Sequence, residues 1–386
     1  MKQTVVIDNG TGYTKMGYAG GEVPLFTIPT VLAYRSGLGG AIADDFVIGS
    51  DALSVSARTH AISYPVRNGQ IQSWDIIERY WEKCFFEYLR SDTEDAYVLL
   101  TEPPYNTPEN RETTAEIMFE TFDVSGIYIG VQAVFSLIAA WSGAGKGRLT
   151  GTVVDSGDGV THVVPVVDGY VVESAIQSVP VAGREATLFV QQLLRERGVD
   201  APLELARSVK EHETYVCGSV LDEFGKYESH REMFRTATVG GRTLELGYEQ
   251  FMAAEAVLNP EIRQKTPMLS LAEVVDQAVQ KCPIDTRRVL YGNIVLSGGT
   301  TMFRGFRERL EKEVDKIVQG RLSSTAEIDP VEVRIAPSAN QKHGVWSGAS
   351  LFGSMDVFPS YCTTREEYKE HGAGVCRQSK VFMDRF

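Results

Sequence analysis

Apolar positions along the chain follow two kinds of pattern. Short β-branched runs at 5–7 and 152–154 are each followed by a Gly-rich turn and a second apolar run, at 16–19 and 163–167. Each pair predicts a β-hairpin, in which glycine would supply the positive φ of a tight turn. Apolar residues at helical spacing predict helices over 74–89, 108–122, 127–140 and 183–195. Strands mixed with long helices indicate an α/β protein.

The two Gly-rich turns form an internal repeat. The aspartate, two glycines and threonine of the first turn (Asp8, Gly10, Gly12, Thr14) recur in register in the second turn as Asp155, Gly157, Gly159 and Thr161. A repeat of this kind predicts two similar domains. We expect them to face each other across a cleft.

The repeated turns suit a nucleotide triphosphate. Glycines let backbone N–H groups approach phosphate oxygens. Asp8 and Asp155 would repel phosphates unless a cation lay between them, and Mg²⁺ is the natural candidate because it keeps several waters and takes few protein ligands. Lys15 would neutralise phosphate charge directly. Either turn alone would be read as an ordinary hairpin, but two copies in register favour the phosphate site.

Composition narrows the class of protein. The chain has 386 residues, 43% of them hydrophobic and 23% charged, which is typical of a globular protein with a large core. Its formal charge of −13 argues against binding to nucleic acid or an anionic membrane surface. Five cysteines without a Cys-x-x-Cys pair argue against disulfide scaffolding and a structural zinc site. Neither a signal peptide nor a membrane-spanning segment is predicted, so we expect a cytoplasmic location.

Three motifs carry a resemblance to a known family. The turns at 8–12 and 155–162 resemble the two phosphate loops of actins, and the segment 296–303 resembles the actin adenosine loop. The resemblance implies an actin-like (ribonuclease H-like) ATPase fold, with two similar α/β domains around a nucleotide cleft and four subdomains. The implied outer domain is 1–141 plus 344–386, with a subdomain 2 insertion at about 33–65. The implied inner domain is 148–343, with a subdomain 4 insertion at about 180–265.

The resemblance also implies which residues would bind ATP and Mg²⁺. Asp8 and Asp155 would hold Mg²⁺ through water. The residues that would contact the nucleotide are Gly10, Thr11, Gly12, Tyr13, Lys15, Ser156, Gly157, Asp158, Gly159, Val160, Arg207, Lys210, Glu211, Gly298, Gly299, Thr300, Met302, Phe303 and Lys342. Taken alone, Lys210 and Glu211 would be read as charges on a solvated helix face.

Hydrolysis requires a group that orients the attacking water. By resemblance to actins, the orienting residues would be Gln132 and His162. Gln132, inside an apolar helix, would otherwise be read as a hydrogen-bonded core amide. Neither residue is a strong general base, so we expect any ATPase activity to be slow.

Within the superfamily, several segments are similar to the actin-related protein 3 branch, among them 101–112, 115–120, 191–195 and 282–285. That branch implies an ATP-binding subunit of the complex of actin-related proteins 2 and 3, which nucleates branched actin filaments. The implied partners are actin, a second actin-related protein, scaffold subunits and nucleation-promoting factors. The implied location is the actin cytoskeleton. The segments near 35–47, 145 and 227–247 are shorter than in typical members of that branch. The contacts with other subunits that the resemblance implies are therefore left open.

Two other functions remain open at this point. A conventional polymerising actin should place an apolar plug at 36–48, where this chain has mostly Gly, Ala and Asp. A metabolic kinase of the same superfamily would need a further catalytic carboxylate, and no motif for one is found. A chaperone-type ATPase is not expected, because no substrate-binding domain follows.

Overall fold

The computed structural model describes residues 2–36, 42–55, 59–141, 149–230, 236–239, 241–263, 267–323, 330–338 and 340–378. Its strands are β1 (Gln3–Asn9), β2 (Tyr13–Tyr18), β3 (Phe26–Pro29), β4 (Leu32–Ser36), β5 (Ile42–Ile48), β6 (Ala61–Ser63), β7 (Val66–Arg67), β8 (Gln70–Ile71), β9 (Ala96–Glu102), β10 (Gly126–Val131), β11 (Gly151–Ser156), β12 (Thr161–Val167), β13 (Tyr170–Val171), β14 (Gln177–Val179), β15 (Thr236–Val239), β16 (Arg242–Glu245), β17 (Ile294–Ser297) and β18 (Thr363–Thr364).

The α-helices lie between and after these strands. They are α1 (Gly49–Ser54), α2 (Trp74–Lys83), α3 (Pro108–Glu116), α4 (Gln132–Trp141), α5 (Gly183–Glu196), α6 (Leu203–Glu213), α7 (Val220–Ser229), α8 (Glu249–Leu258), α9 (Leu271–Gln280), α10 (Ile284–Gly292), α11 (Phe306–Leu322), α12 (Gly344–Gly353) and α13 (Arg365–His371). α2 and α3 continue as π-helical turns over Cys84–Leu89 and Ile117–Thr121. The helices predicted over 74–89, 108–122 and 183–195 are therefore confirmed.

The chain divides into two compact units. The first unit contains residues 1–149, 166–171 and 343–386, and the second contains 150–165 and 172–342.

The first unit is built on a mixed sheet with the strand order β18-β10-β9-β1-β2-β3. β1 pairs with β2 as an antiparallel hairpin and with β9 in parallel, and β9 pairs in parallel with β10. Fully buried residues of the sheet, such as Val5, Ile7 and Val98, belong to an apolar core that also contains Trp81 and Phe85. Burying these large side chains is the main stabilising contribution to the unit.

The second unit repeats the central part of this arrangement. β12 lies beside β11, β11 pairs in parallel with β17, and β14 pairs with the first residues of β12. The order β14-β12-β11-β17 thus matches β3-β2-β1-β9 in the first unit. The repeat found in the sequence is therefore also a repeat of topology.

The helix predicted over 127–140 is wrong in its first part. Residues 126–131 form strand β10, paired with β9 from Gly126↔Tyr97 to Val131↔Glu102, and the helix begins at Gln132. A short run of buried apolar residues has no periodicity that separates a strand from a helix. α4 then packs closely against α12, where a Cβ on Gly348 would lie 1.8 Å from the Phe135 carbonyl oxygen.

The segment 35–45 was predicted to be an exposed loop, but its described residues belong to two strands. Arg35 and Ser36 belong to β4 and 42–45 belong to β5, and these two strands pair in an antiparallel hairpin. Residues 37–41, most of the predicted connector at 141–148, and the tail aromatics Phe382 and Phe386 lie outside the described residues. Within the described part of the chain, no helix is both long enough and apolar enough to span a bilayer.

Candidate functional site

The first group of candidate site residues forms where three parallel strands of the first unit end. Ile7 of β1 lies opposite Leu100 of β9, so Asp8 and Thr101 occupy neighbouring positions one residue further on. β10 ends at Val131, and the next residue, Gln132, opens α4. Because the carboxyl ends of parallel strands meet at one edge of a sheet, three polar side chains converge there.

Asp8 is the centre of this first group. It is only 1% exposed. Its Oδ1 accepts hydrogen bonds from the Thr101 hydroxyl at 2.5 Å and from Gln132 Nε2 at 3.1 Å. Its Oδ2 accepts from Lys15 Nζ at 2.8 Å. These donors hold both carboxylate oxygens in place.

Lys15 reaches Asp8 because the two residues face each other across the β1–β2 hairpin, in the register Asp8↔Lys15. The Gly10 N–H donates to the Tyr13 carbonyl at 3.1 Å, which leaves Thr11 and Gly12 as the turn. The turn is fixed from outside by the Gly69 N–H, which donates to Thr11 Oγ1 at 2.8 Å. Lys15 keeps about a fifth of its side chain exposed, so its ammonium lies between a buried carboxylate and solvent.

The second group of candidate site residues forms in the same way, at the ends of β11 and β17 in the second unit. Asp155 of β11 lies opposite Ser297 of β17, which brings the second Gly-rich turn beside the segment that follows Ser297. The buried Ser156 hydroxyl lies 2.7 Å from Thr161 Oγ1. The Thr161 hydroxyl in turn donates to the Val181 carbonyl. The half-buried Asp155 precedes these contacts.

The turn 157–160 is held by two separate parts of the second unit, the segment that contains Thr300 and the start of α5. The Gly157 carbonyl accepts from Thr300 Oγ1 at 2.7 Å and from the Gly183 N–H at 3.0 Å. The Arg184 N–H donates to the Asp158 carbonyl at 2.8 Å, so the first turn of α5 contacts the loop. The N–H of Gly157 donates to the Val160 carbonyl at 3.4 Å, and Gly159 lies between them in the turn. Residues that are far apart in sequence thus form one hydrogen-bonded loop cluster.

The fold requires glycine at Gly298 but not at Gly157. Gly298 has a φ of +86°, and a Cβ there would lie 2.2 Å from the Ser156 carbonyl oxygen. Gly157 has no left-handed φ, and a Cβ there would meet no described heavy atom within 4 Å. The expectation that positive φ explains the glycines of both hairpins is wrong, since neither Gly10 nor Gly157 has one. Gly10 is instead required for space, because its Cβ would lie 2.7 Å from the Tyr13 carbonyl oxygen.

Lys210 lies in this cluster rather than on a solvated helix face. It is 8% exposed, and its Nζ donates to the Gly183 carbonyl at 3.2 Å. Burial lowers the pKa of Lys210, while the nearby carboxylates of Glu211 and Asp158 oppose that change and Arg207 adds to it. Glu211 is exposed and Arg207 is half-buried. The predicted adenosine-side residues therefore lie beside the second turn.

The segment after β17 supplies the remaining predicted residues. Gly299–Met302 forms a 3₁₀ turn, in which Met302 leaves 55% of its surface exposed, and Phe303 follows it half-buried. The Gly298 N–H donates to the Gln341 carbonyl at 3.0 Å, which places the exposed Lys342 next to this turn. Each predicted residue of the second unit thus lies in or next to the loop cluster.

His162 is the second residue of β12, the strand after the second turn. It lies opposite Ser178 of β14 and is 6% exposed. Burial lowers the pKa of His162 to about 4. The imidazole is therefore neutral near pH 7, so it can orient a polar group by hydrogen bonding but carries no charge there.

Thr101 has a position in the site that sequence reasoning did not assign. Its segment was noted only as part of a resemblance, although a polar residue that closes the buried run Val98–Leu100 is a usable signal for a strand-end site. A cluster of three or more potential metal-ligating carboxylate, His or Cys side chains is absent from the described residues. Two carboxylates that act through water, as predicted for Asp8 and Asp155, do not require such a cluster.

Comparison with known proteins gives a consistent result. The family model described as Actin matches residues 1–236 and 204–380. The chain is 45% identical to actin-related protein 3 of Dictyostelium discoideum over 405 aligned positions, which cover 98% of the chain and 97% of that protein. It is 42% identical to actin-related protein 3 of Schizosaccharomyces pombe and 43% identical to that of Caenorhabditis elegans, with the same coverage.

These alignments run over 405 to 416 positions, more than the 386 residues of the chain, so each relative carries residues without a counterpart here. This agrees with the prediction that the chain is shorter than its relatives, while the segments concerned stay a prediction. The match covers both units and all three of the motifs that carry the site. This chain belongs to the actin family.

Proposed function

We propose that the chain binds ATP together with Mg²⁺ and acts as the actin-related subunit of a complex that nucleates branched actin filaments. In the first unit, the N–H groups of the turn Thr11–Tyr13 and the Lys15 ammonium would contact phosphate oxygens. Asp8 would hold water molecules of the Mg²⁺ shell, because both of its carboxylate oxygens already accept hydrogen bonds from protein groups.

The surroundings of Gly157 are the main support for nucleotide binding. Neither a left-handed φ nor a neighbouring atom of the described chain requires a glycine there, although the loop around it is held by hydrogen bonds from Thr300, Gly183 and Arg184. A residue without a side chain in such a loop leaves the backbone open to a ligand, and a triphosphate is the ligand that suits consecutive N–H groups. Asp155 would act as Asp8 does, through water.

The nucleoside would be held by the other residues of the second unit. Met302 offers exposed apolar surface suited to a purine ring, and Glu211 and Arg207 offer hydrogen-bonding groups beside it. Lys210, held at the Gly183 carbonyl, fixes α6 against the loop cluster. Phe303 and Lys342 border the same turn.

Any hydrolysis would be slow. Mg²⁺ would neutralise charge on the terminal phosphates when bound. Gln132 and the neutral His162 would orient the attacking water by hydrogen bonding. An amide and an imidazole whose pKa is about 4 are both weak proton acceptors near pH 7, so the nucleotide would act mainly as a stabilising ligand.

The role in nucleation rests on the relatives. Proteins named actin-related protein 3 match 98% of this chain at 42–45% identity. We propose the same partners as for that branch, namely actin, a second actin-related protein, scaffold subunits and nucleation-promoting factors, in the cytoplasm and the actin cytoskeleton. The runner-up, a conventional polymerising actin, is disfavoured because the relatives found carry the actin-related name.

Two experiments test this proposal. Affinity purification of the chain from its own cells should recover a second actin-related protein and small scaffold subunits. Sedimentation of the purified chain with ATP and Mg²⁺ should leave it in the supernatant. Recovery without such partners, together with pelleting as a homopolymer, would contradict the nucleating role and favour a conventional actin.

A further inference from the structure

Thr101 is a buried polar residue that links Asp8 and Gln132 in the first group of candidate site residues. It lies near the end of β9, is 8% exposed, and directs its hydroxyl toward Asp8. Its Oγ1 is 2.5 Å from Asp8 Oδ1 and 3.4 Å from Gln132 Nε2. Thr101 thus contacts both Asp8 and Gln132.

The donors and acceptors of this cluster have a single consistent assignment. An ionised carboxylate only accepts, so the Thr101 hydroxyl donates its one proton to Asp8. Short O–H···O⁻ distances of this kind are typical of charge-assisted hydrogen bonds. The Thr101 oxygen then has only lone pairs left, and it accepts from the Gln132 amide.

This assignment fixes the orientation of Gln132. Both neighbours of the amide nitrogen, Asp8 Oδ1 and Thr101 Oγ1, are acceptors, so the NH₂ group must face them. The amide carbonyl oxygen is left to accept from a water molecule. Without the Thr101 hydroxyl, one of the two contacts that decide this orientation is lost.

The backbone beside Thr101 is anchored independently of the hydroxyl. The next residue, Glu102, is 2% exposed and accepts from Arg111 through Nε at 2.8 Å and through Nη2 at 3.0 Å. Asn106 donates to the same carboxylate at 2.8 Å. Removing the hydroxyl of Thr101 should therefore leave the end of the strand where it is.

We infer that Thr101 is a positioning residue, whose hydroxyl sets the Asp8 carboxylate for metal-bound water and the Gln132 amide for the attacking water. This inference rests on the proposed ATP and Mg²⁺ binding. Thr101 itself contacts neither nucleotide nor metal.

The test replaces Thr101 with Val, which keeps the shape and removes the hydroxyl, and with Ser, which keeps the hydroxyl. Binding of a fluorescent ATP analogue is measured in EDTA and across a Mg²⁺ titration, and phosphate release is measured at saturating Mg·ATP. Thr101→Val should require about tenfold more Mg²⁺ for tight binding and release phosphate about tenfold more slowly, as for other outer-shell groups. Its affinity for ATP in EDTA should stay near that of the wild type.

A matched control is Thr114→Val. Thr114 is a similarly buried threonine of the same unit, and its hydroxyl donates only to the Asn110 carbonyl at 2.8 Å. It should leave Mg²⁺ dependence and phosphate release unchanged, and Thr101→Ser should restore both. If Thr101→Val does not fold, as judged by circular dichroism, Thr101→Ala is measured with the same expectations.

Two results would overturn the inference while the proposed function stands. One is wild-type Mg²⁺ dependence and phosphate release in the Val variant. The other is a Ser variant as impaired as the Val variant, which would assign the effect to packing. A wild-type chain without Mg²⁺-dependent ATP binding would instead refute the proposed function itself, and the inference with it.

Discussion

Gly157→Ala should separate the stability of the chain from its affinity for nucleotide. The added methyl group meets no described heavy atom within 4 Å and the backbone has no left-handed φ. Replacing glycine by alanine at such a position reduces the entropy of the unfolded chain and stabilises the fold by about 0.4–1 kcal/mol. The ligand-free variant should therefore be as stable as the wild type or slightly more stable.

The effect on ATP has the opposite sign. A methyl group at position 157 would occupy the space through which the turn approaches a phosphate oxygen. Loss of one hydrogen bond from a backbone N–H to a charged group costs about 1.5–3 kcal/mol. This corresponds to an affinity for Mg·ATP that is about 10- to 100-fold weaker.

Two other glycines of the second unit serve as controls. Gly218 also has no described heavy atom within 4 Å of its Cβ position and no left-handed φ, and it is not part of the loop cluster, so Gly218→Ala should change stability in the same way and leave ATP affinity intact. Gly298→Ala combines a φ of +86° with a Cβ 2.2 Å from a carbonyl oxygen. It should cost about 3 kcal/mol or more of unfolding free energy.

Chemical denaturation without nucleotide and titration calorimetry with Mg·ATP measure the two quantities separately. A Gly157→Ala variant that binds Mg·ATP as tightly as the wild type would refute the contact between this turn and a phosphate. A variant destabilised as strongly as Gly298→Ala would refute it as well, because glycine at position 157 would then be required for folding.

Three further predictions concern groups with buried charge or burial-dependent protonation. Lys15→Ala leaves the buried carboxylate of Asp8 without its cation and should cost about 2–3 kcal/mol, somewhat less than a fully buried pair; urea unfolding would show this, and Asp8→Asn in the same chain should recover part of the loss. His162, whose folded pKa of about 4 lies below the unfolded value, binds fewer protons in the folded state. The contribution of neutral His162 to the free energy of unfolding is fully present above about pH 6.5 and falls by up to about 3 kcal/mol toward pH 4. The free energy of unfolding of His162→Gln should therefore depend less on pH between these values. Equal pH dependence of unfolding in the variant and the wild type would contradict a lowered pKa for His162. Arg111→Ala leaves Glu102, which is 2% exposed, without its bidentate partner and should lower the free energy of unfolding by about 3 kcal/mol, measured by thermal unfolding. A change in melting temperature no larger than that of an exposed Arg→Ala control would argue against a buried ion pair.

The sequence was most informative where the determinants are local. The two hairpins and the helices that follow them were predicted because β-branched runs, turn residues and helical spacing act over a few residues. Repetition of the turn in register then indicated function as well as fold. The structure brings Asp8 and Lys15 together as the hairpin register requires.

Features that depend on tertiary packing were beyond the sequence pattern. The apolar pattern predicts a helix from residue 127, where the structure has strand β10, because a buried strand has no polar face. Lys210 looked like a solvated charge, since only the fold brings the Gly183 carbonyl to its ammonium. The role of Thr101 depends on the register between β1 and β9, two strands whose pairing no local pattern encodes.

The central claim is that this chain binds ATP through Mg²⁺ held by Asp8. Titration calorimetry of ATP into the purified chain, with Mg²⁺ and with EDTA, tests it most directly. We expect tight binding with Mg²⁺ and much weaker binding in EDTA, and an Asp8→Ala variant in which this dependence on Mg²⁺ is largely lost. Equal heats with Mg²⁺ and EDTA, or an Asp8→Ala variant that binds Mg·ATP like the wild type, would contradict the account.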